Sequence, residues 1–158
     1  MHREVILNMT GRYTSPVVPI NEAPPADTTP YRKTVLVVDD ESAIADTLTE
    51  ILSRSGYAAM TAYDGPEALE ISLLTPPELL ITDVSLPGMS GIELAIKMRR
   101  IFPDCKILLF SGHVATADLL TRAQQAGHTF TLISKPVHPN VLLARVSEIL
   151  GSVSTAVV

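Results

Sequence analysis

Hydrophobic residues along the chain occur in short continuous runs, and longer stretches with a helical repeat separate these runs. The continuous runs are Thr34–Val38, Tyr57–Ala62, Leu79–Thr82, Ile107–Phe110 and Phe130–Ile133. A run without polar alternation is typical of a strand that is buried on both faces, as the strands of a parallel sheet are. The pattern therefore predicts five strands of a parallel sheet.

The stretches between the runs carry hydrophobic residues along one side of a helix. In the first stretch Ile44, Leu48, Ile51 and Leu52 are spaced i, i+4, i+7 and i+8, and Gly56 stands where a glycine commonly ends a helix. Similar stretches predict helices at about Glu67–Leu74, from Ser90 to before Pro103, Ala115–Ala126 and Pro139–Leu150. Five strands alternating with five helices predict an α/β fold with a doubly wound parallel sheet.

The length and the distribution of proline indicate one domain with a separate beginning. A chain of 158 residues suits one globular domain. Residues 10–32 carry five prolines among Ser, Thr, Asn and Asp, and this composition buries too little apolar surface to offset the entropy of ordering. We predict a flexible Pro-rich arm at 1–32, one domain at 33–151 and a short tail at 152–158. We expect no effector domain after the domain at 33–151. Met1 and Met9 are alternative start positions of the chain.

Charge and cysteine content exclude several classes of protein. A net charge of −5 and a pI near 5.3 argue against a surface that neutralises nucleic-acid phosphates. Cys105 is the single cysteine, so no intramolecular disulfide can form. No apolar run approaches the length of a membrane-spanning helix, which is about 18 to 20 residues. We therefore expect a cytoplasmic protein that binds neither DNA nor a membrane.

Polar side chains follow four of the five predicted strands. Asp39 and Asp40 come after the first strand, Asp83 after the third, Ser111 after the fourth and Lys135 after the fifth. Ligands of parallel α/β sheets gather at the carboxyl ends of the strands. We therefore expect three carboxylates, one hydroxyl and one ammonium group to lie close together.

This set of groups indicates phosphoryl chemistry on a metal site. Three neighbouring carboxylates repel one another unless a cation shares the site, and ligands that are all oxygen favour Mg²⁺, with Mn²⁺ able to substitute. A carboxylate can attack phosphorus to form an aspartyl phosphate. Asp83, on a central strand facing Lys135 and Ser111, is the expected nucleophile, and Asp39 and Asp40 are the expected metal ligands.

Each of these residues also has an ordinary structural explanation. An Asp pair after a strand often caps the next helix, and Asp83 before Leu86-Pro87-Gly88 would serve in a turn. Ser111 would be a turn residue and Lys135 a solvated lysine. Their joint occurrence at strand ends favours a site. The histidines show no spacing with Cys105 that predicts zinc, and we expect His113 to be an exposed loop residue.

Four segments resemble the motifs of response-regulator receiver domains, the phosphoaccepting proteins of two-component signalling. They are V-V-D-D-E at 37–41, D-V-S-L-P-G-M-S-G at 83–91, L-L-F-S-G at 108–112 and S-K-P-V at 134–137, and the likeness runs from about Thr34 to Gly151. It implies a flavodoxin-like fold with strand order 2-1-3-4-5 and phosphorylation by a histidine kinase or phosphotransfer protein. It also implies that the contact surface for a downstream protein is formed by the fourth helix, the fifth strand and the fifth helix. Because we expect no effector domain, we expect a stand-alone signalling protein.

The resemblance assigns a role to each residue of the expected site. Asp83 corresponds to the phosphoacceptor, Asp40 to a direct metal ligand, Asp39 to an acidic partner acting mainly through water, and the backbone carbonyl of Ser85 to the third protein ligand. Ser111 corresponds to a switch hydroxyl, Lys135 to the site lysine, and Pro136 to a proline after a cis peptide bond. The family's aromatic switch residue corresponds to Leu132, and Phe130 is the nearest aromatic residue.

Two other functions fit parts of the pattern. Mg²⁺-dependent phosphohydrolases with an aspartate nucleophile usually carry a second aspartate two residues later, and Ser85 occupies that position here. A receiver that is never phosphorylated would act as a scaffold, but all the expected site residues are present. We therefore expect a signalling protein that accepts a phosphoryl group, rather than an enzyme.

Overall fold

A computed structural model describes residues 30–112 and 116–151, and the fold is that of the unit that begins at Tyr31. Five parallel strands form one sheet in the order β2-β1-β3-β4-β5. The strands are β1 (Thr34–Val38), β2 (Ala58–Ala62), β3 (Leu79–Asp83), β4 (Lys106–Ser111) and β5 (Thr131–Ser134). The helices are α1 (Ser42–Arg54), α2 (Gly65–Leu74), α3 (Gly91–Ile101), α4 (Thr116–Gln125) and α5 (Pro139–Leu150). The predicted flavodoxin-like class and strand order are confirmed.

The sheet separates two hydrophobic cores, because successive residues of a strand point to opposite faces. One core joins Leu36, Leu80 and Leu109 to α2, α3 and α4, and it includes Leu94 and Met98. The other core joins Val35, Val37, Ile81, Leu108 and Phe110 to α1 and α5, and it includes Leu48, Leu52, Leu142 and Val146. Burial on both faces explains why the central strands are continuous hydrophobic runs.

Local signals set the ends of several helices. The side chain of Asp64 accepts a hydrogen bond from the Glu67 N–H at 2.8 Å and caps α2, and Ser90 accepts one from the Glu93 N–H at 3.1 Å and caps α3. Gly56, after α1, has a φ of 96°, a conformation that favours glycine. The predicted helix start at Ser90 and helix end near Gly56 are therefore confirmed.

The boundaries of four strands differ from the prediction by one residue, and β2 begins at Ala58 rather than at Tyr57. β3 includes Asp83, β4 includes Ser111, and β5 begins at Thr131, so that Phe130 lies outside it. Most of the predicted arm, the predicted tail and His113 lie outside the described residues. In the described part of the chain, no helix combines the length and apolar character that a membrane span requires.

The register of the sheet brings the ends of the strands to one edge. Val38 is paired with Thr82, Asp83 with Phe110, and Ser111 with Ser134. The residues that follow β1, β3, β4 and β5 are therefore neighbours at this edge, although they are far apart in the sequence.

Candidate functional site

Asp39 lies at the end of β1, and its side chain is fully buried. Its Oδ1 accepts a hydrogen bond from the Glu41 N–H at 2.9 Å, and its own N–H donates to the Ala62 carbonyl at 3.2 Å. Helix α1 begins after Glu41, whose side chain makes no capping hydrogen bond, and among the described residues neither Asp39 nor Asp40 accepts a hydrogen bond from an N–H of α1. The Asp pair therefore does not cap this helix, which was its ordinary structural explanation.

Asp83 is the last residue of β3 and is 6% exposed. Its Oδ1 accepts a hydrogen bond from the Ser85 N–H at 3.0 Å, which fixes the carboxylate at the start of the loop. Its backbone carbonyl lies against Gly91, where a Cβ atom would come within 1.9 Å of the carbonyl oxygen. The β3 end and the α3 start are therefore packed together in a way that requires glycine at position 91.

The third carboxylate, Asp40, is exposed beside these two buried ones. One oxygen from each of Asp39, Asp40 and Asp83 lies within 4.8 Å of the others. The sequence prediction that the three carboxylates lie together is therefore correct as to geometry.

Lys135 joins two of the three carboxylates. Its Nζ donates to Asp83 Oδ2 at 2.8 Å and to Asp39 Oδ2 at 3.2 Å, and it lies 4.9 Å from the centre of the Phe110 ring. The Lys135 N–H donates to the Ser111 carbonyl at 2.9 Å, which fixes the backbone at the end of β5. The peptide bond between Lys135 and Pro136 is cis, as the resemblance implied.

Burial and neighbouring charges shift the pKa values of two groups in this cluster. Burial raises the pKa of Asp39 above its usual value, although hydrogen bonds from the Glu41 N–H and from Lys135 act in the opposite direction. Burial also lowers the pKa of Lys135, but its hydrogen bonds to Asp83 and Asp39 and their charges outweigh this effect and raise it overall. Lys135 is therefore held as a cation beside Asp39, whose charged form is costly to bury.

The donor set fits a divalent cation. Asp39, Asp40 and Asp83 offer carboxylate oxygens, and one lysine stands beside these three carboxylates. Among the residues that the structure describes, no thiolate or imidazole belongs to the cluster. Hard cations such as Mg²⁺ prefer oxygen ligands. The cluster therefore suits Mg²⁺ by its chemistry and by its excess of negative charge.

Ser111 and Ser85 lie beside this cluster. Ser111 is the last residue of β4 and is 6% exposed, and Ser85 follows Asp83 by two residues and is exposed. The structure thus brings the expected hydroxyl and ammonium group to the edge of the sheet that carries the carboxylates. The role of the Ser85 carbonyl as a metal ligand remains a prediction.

The position of the expected aromatic switch differs from the family pattern. Leu132 is 38% exposed in β5. Phe130 precedes β5, with the Arg99 guanidinium 4.2 Å from its ring centre and the His128 ring stacked at 6.2 Å. Phe130 is therefore held against α3, away from the carboxylate cluster.

Comparison with known proteins gives a consistent family. Residues 35–147 match the family model described as the response regulator receiver domain. The alkaline phosphatase synthesis transcriptional regulatory protein of Bacillus subtilis is 36% identical over 121 residues, which are 75% of this chain and 48% of that protein. The chain spans about half the length of the curated relatives it matches.

Solved structures agree with the sequence comparison. A CheY-like response regulator receiver domain protein of Methanospirillum hungatei has a TM-score of 0.69 at 32% identity, over 76% of this chain and 94% of that one. The chemotaxis protein CheY4 of Vibrio cholerae has a TM-score of 0.68 at 26% identity, over 75% and 99%.

Proposed function

The chain belongs to the response regulator receiver domain family of two-component signalling, and from this we propose that it accepts a phosphoryl group on Asp83. The observation that carries the proposal is the ion cluster at the end of β3. There a nearly buried carboxylate has one oxygen 2.8 Å from an ammonium group, and two further carboxylates complete the cluster. A salt bridge that only stabilised the fold would need one carboxylate beside Lys135. This cluster has three carboxylates and one lysine, so its negative charge exceeds what the lysine neutralises.

The proposed reaction forms a mixed anhydride. One carboxylate oxygen of Asp83 attacks the phosphorus of a phosphohistidine, the P–N bond breaks, and its electron pair returns to the imidazole nitrogen of the donor. Lys135 neutralises charge on the transferred phosphoryl oxygens, and the hydroxyl of Ser111 provides a hydrogen-bond donor at the end of the neighbouring strand. Water later hydrolyses the anhydride and restores Asp83.

Asp39, Asp40 and Asp83 would hold the metal ion, and family resemblance adds the Ser85 carbonyl. Bound there, Mg²⁺ supplies positive charge that opposes the charge of the phosphoryl oxygens. Asp40 is exposed, which suits a direct ligand of a metal ion that also binds water. Asp39 is buried and accepts hydrogen bonds from the Glu41 N–H and from Lys135, which suits a supporting role.

We propose that the donor is a histidine kinase or a phosphotransfer protein, and that the output is contact with another protein. The proposed output face is formed by α4, β5 and α5, and its exposed apolar side chains are Leu119, Leu132 and Val141. The net charge of −5 supports protein contact over direct DNA binding. The matched family is a signalling one, which supports a signalling role for this chain.

Intact-mass measurement after incubation with acetyl phosphate and Mg²⁺ tests the proposal. In this reaction the P–O bond to the acyl group breaks, acetate leaves, and the protein gains the mass of one phosphoryl group. We expect the gain to disappear in Asp83→Asn and with EDTA, and to persist in Asp104→Asn, which removes an exposed carboxylate before β4. An undiminished gain in Asp83→Asn would overturn the assignment, as would no gain in the unaltered protein with both acetyl phosphate and a competent kinase.

A further inference from the structure

A second polar cleft lies at the opposite edge of the sheet, where β4 and β5 begin. Its volume is about 320 Å³. It is lined from α3 by Arg99, from the start of β4 by Lys106 and from the residues before and within β5 by Thr129 and Thr131. Asp83 and Ser111 stand at the far ends of β3 and β4, so this cleft is separate from the carboxylate cluster.

Arg99 is fixed in this cleft without an acidic partner. Its Nη2 donates to the Thr129 carbonyl at 2.6 Å, and its guanidinium lies 4.2 Å from the centre of the Phe130 ring. Among the described residues, no carboxylate lies within ion-pair distance of Arg99. A guanidinium has five N–H donors, so one hydrogen bond leaves most of them available to a ligand.

Lys106 adds a second cation that the fold does not use. Its side chain is exposed, and in the described ranges its ammonium group has neither a hydrogen bond nor an ion pair. The lining of the cleft contains no Asp or Glu. Asp104, close by in sequence, lines a different cleft together with Glu78 and Pro76.

These observations favour a compact anion with several acceptor oxygens. Arginine and lysine side chains beside two threonine hydroxyls are the donors that phosphate groups require, and a guanidinium fixed by other contacts loses little entropy on binding. The cleft also has apolar walls from Ile107, Phe130 and Ile149, and its size accommodates a phosphate with a small organic group.

We propose that this cleft, formed by Arg99, Lys106, Thr129 and Thr131, is a binding site for a small phosphate-bearing anion. The ligand is either free phosphate or the phosphomonoester of a small metabolite. Because Thr131 begins the strand that ends before Lys135, the ligand would bind the strand that leads to the carboxylate cluster. The site does not depend on phosphorylation of Asp83.

Amide NMR titration tests the proposal at constant ionic strength. Inorganic phosphate and ribose 5-phosphate are each added to the full chain with EDTA and no phosphoryl donor, so Asp83 stays unmodified. We expect saturable shifts at Arg99, Lys106 and 129–131. Tighter binding of ribose 5-phosphate would assign the site to a phosphomonoester, and equal binding would assign it to phosphate itself.

Three variants separate a site from general charge attraction. Lys106→Gln removes a cation that makes no hydrogen bond or ion pair among the described residues. We expect binding about tenfold weaker, the usual effect of losing one charge-assisted hydrogen bond. Arg99→Gln should weaken binding at least as much, although it also alters the support of Phe130. Lys97→Gln removes an exposed cation of α3 outside the cleft and should leave affinity unchanged.

Several results would contradict the proposed binding site. Shifts that rise linearly without saturation would overturn the site, and so would saturable shifts centred on Lys135. Equal affinity in Lys106→Gln and the unaltered protein would also overturn it. A DNA duplex that shifts residues 129–131 where neither phosphate compound saturates would replace the small anion by nucleic acid.

Discussion

At the scale of single residues, the site depends on groups that the fold holds in costly positions. Asp39 is fully buried as a carboxylate, and Lys135 is the cation that stands beside it and Asp83. An uncompensated buried charge is strongly destabilising, so the ion cluster and the packing around it constrain each other. Gly91 shows the same constraint in the backbone, because it admits the carbonyl of Asp83 where any side chain would clash.

Replacement of Gly91 tests this close approach. In Gly91→Ala the new Cβ would meet the Asp83 carbonyl oxygen at 1.9 Å, and because the contact is with backbone, we expect a loss of about 3 kcal/mol or more in unfolding free energy. The comparison is Gly127→Ala, where φ is +90° but no atom lies within 4 Å of the new Cβ. There we expect a loss of about 1 to 2 kcal/mol. Urea unfolding measures both, and equal losses would contradict the close packing.

The thiol of Cys105 offers a test that depends on pH. Burial raises its pKa from 9.0 to about 11. Since only the thiolate reacts, we expect native protein at pH 8 to resist iodoacetamide and unfolded protein in urea to react fully. The raised pKa also stabilises the fold below pH 9, and this contribution should be lost as the pH rises towards 11. Rapid alkylation of the native protein would show that the thiol is accessible.

The sequence predicted which residues form the carboxylate cluster better than it predicted how each of them is held. Three aspartates, a serine and a lysine after strands were sufficient to propose the cluster, because parallel strands end at one edge. The burial of Asp39, the two hydrogen bonds of Lys135 and the close approach at Gly91 depend on packing between distant segments. A linear pattern contains no such distances, so these features needed the structure.

At the scale of elements, helix α1 illustrates how the hydrophobic stripe stabilises the fold. Leu52 is fully buried in the core that α1 shares with β1, β3 and α5, whereas Leu74, at the end of α2, is 87% exposed. A leucine side chain therefore contributes very differently to the free energy of unfolding at these two positions.

Paired alanine substitutions measure this difference. Leu52→Ala removes buried methyl groups and leaves a cavity, so we expect a loss of about 2 to 5 kcal/mol in unfolding free energy. Leu74→Ala should change it by less than about 0.5 kcal/mol, because its side chain is already in water. Denaturant unfolding of both variants gives the comparison, and similar losses would refute the assignment of the α1 stripe to the core.

Sequence patterns predicted elements well where both faces are buried. The runs at β1, β3 and β4 are almost wholly buried, and their predicted positions agree within one residue. The start of β5 was predicted one residue early because phenylalanine is a residue type that strands favour. The Phe130 ring instead contacts Arg99 of α3 and stacks with His128, and no local pattern reveals the contact with α3.

At the scale of the whole molecule, the proposed metal site predicts that a bound cation stabilises the fold, because the cluster gathers three carboxylates at one end of the sheet. A ligand that binds only the folded state adds about 1.4 kcal/mol at ten times its dissociation constant. We expect MgCl₂ to raise the midpoint of thermal unfolding, and EDTA to reverse the effect. NaCl at equal ionic strength is the control for screening.

Asp40 provides the sharpest variant for this test. Because its side chain is exposed, Asp40→Asn should fold normally and lose most of the Mg²⁺ stabilisation. Asp104→Asn, also exposed but remote from the cluster, should retain it. Equal stabilisation of the two variants by MgCl₂ would show that the metal acts elsewhere.

The measurement that tests the central claim most directly is chemical trapping of the acceptor. After phosphorylation by acetyl phosphate with Mg²⁺, borohydride reduces an aspartyl phosphate to homoserine, and tandem mass spectrometry of the peptides locates the change. We expect homoserine at position 83 and unmodified aspartate at 39 and 40. Homoserine at position 39 or 40, or a phosphorylated protein without homoserine, would contradict the account.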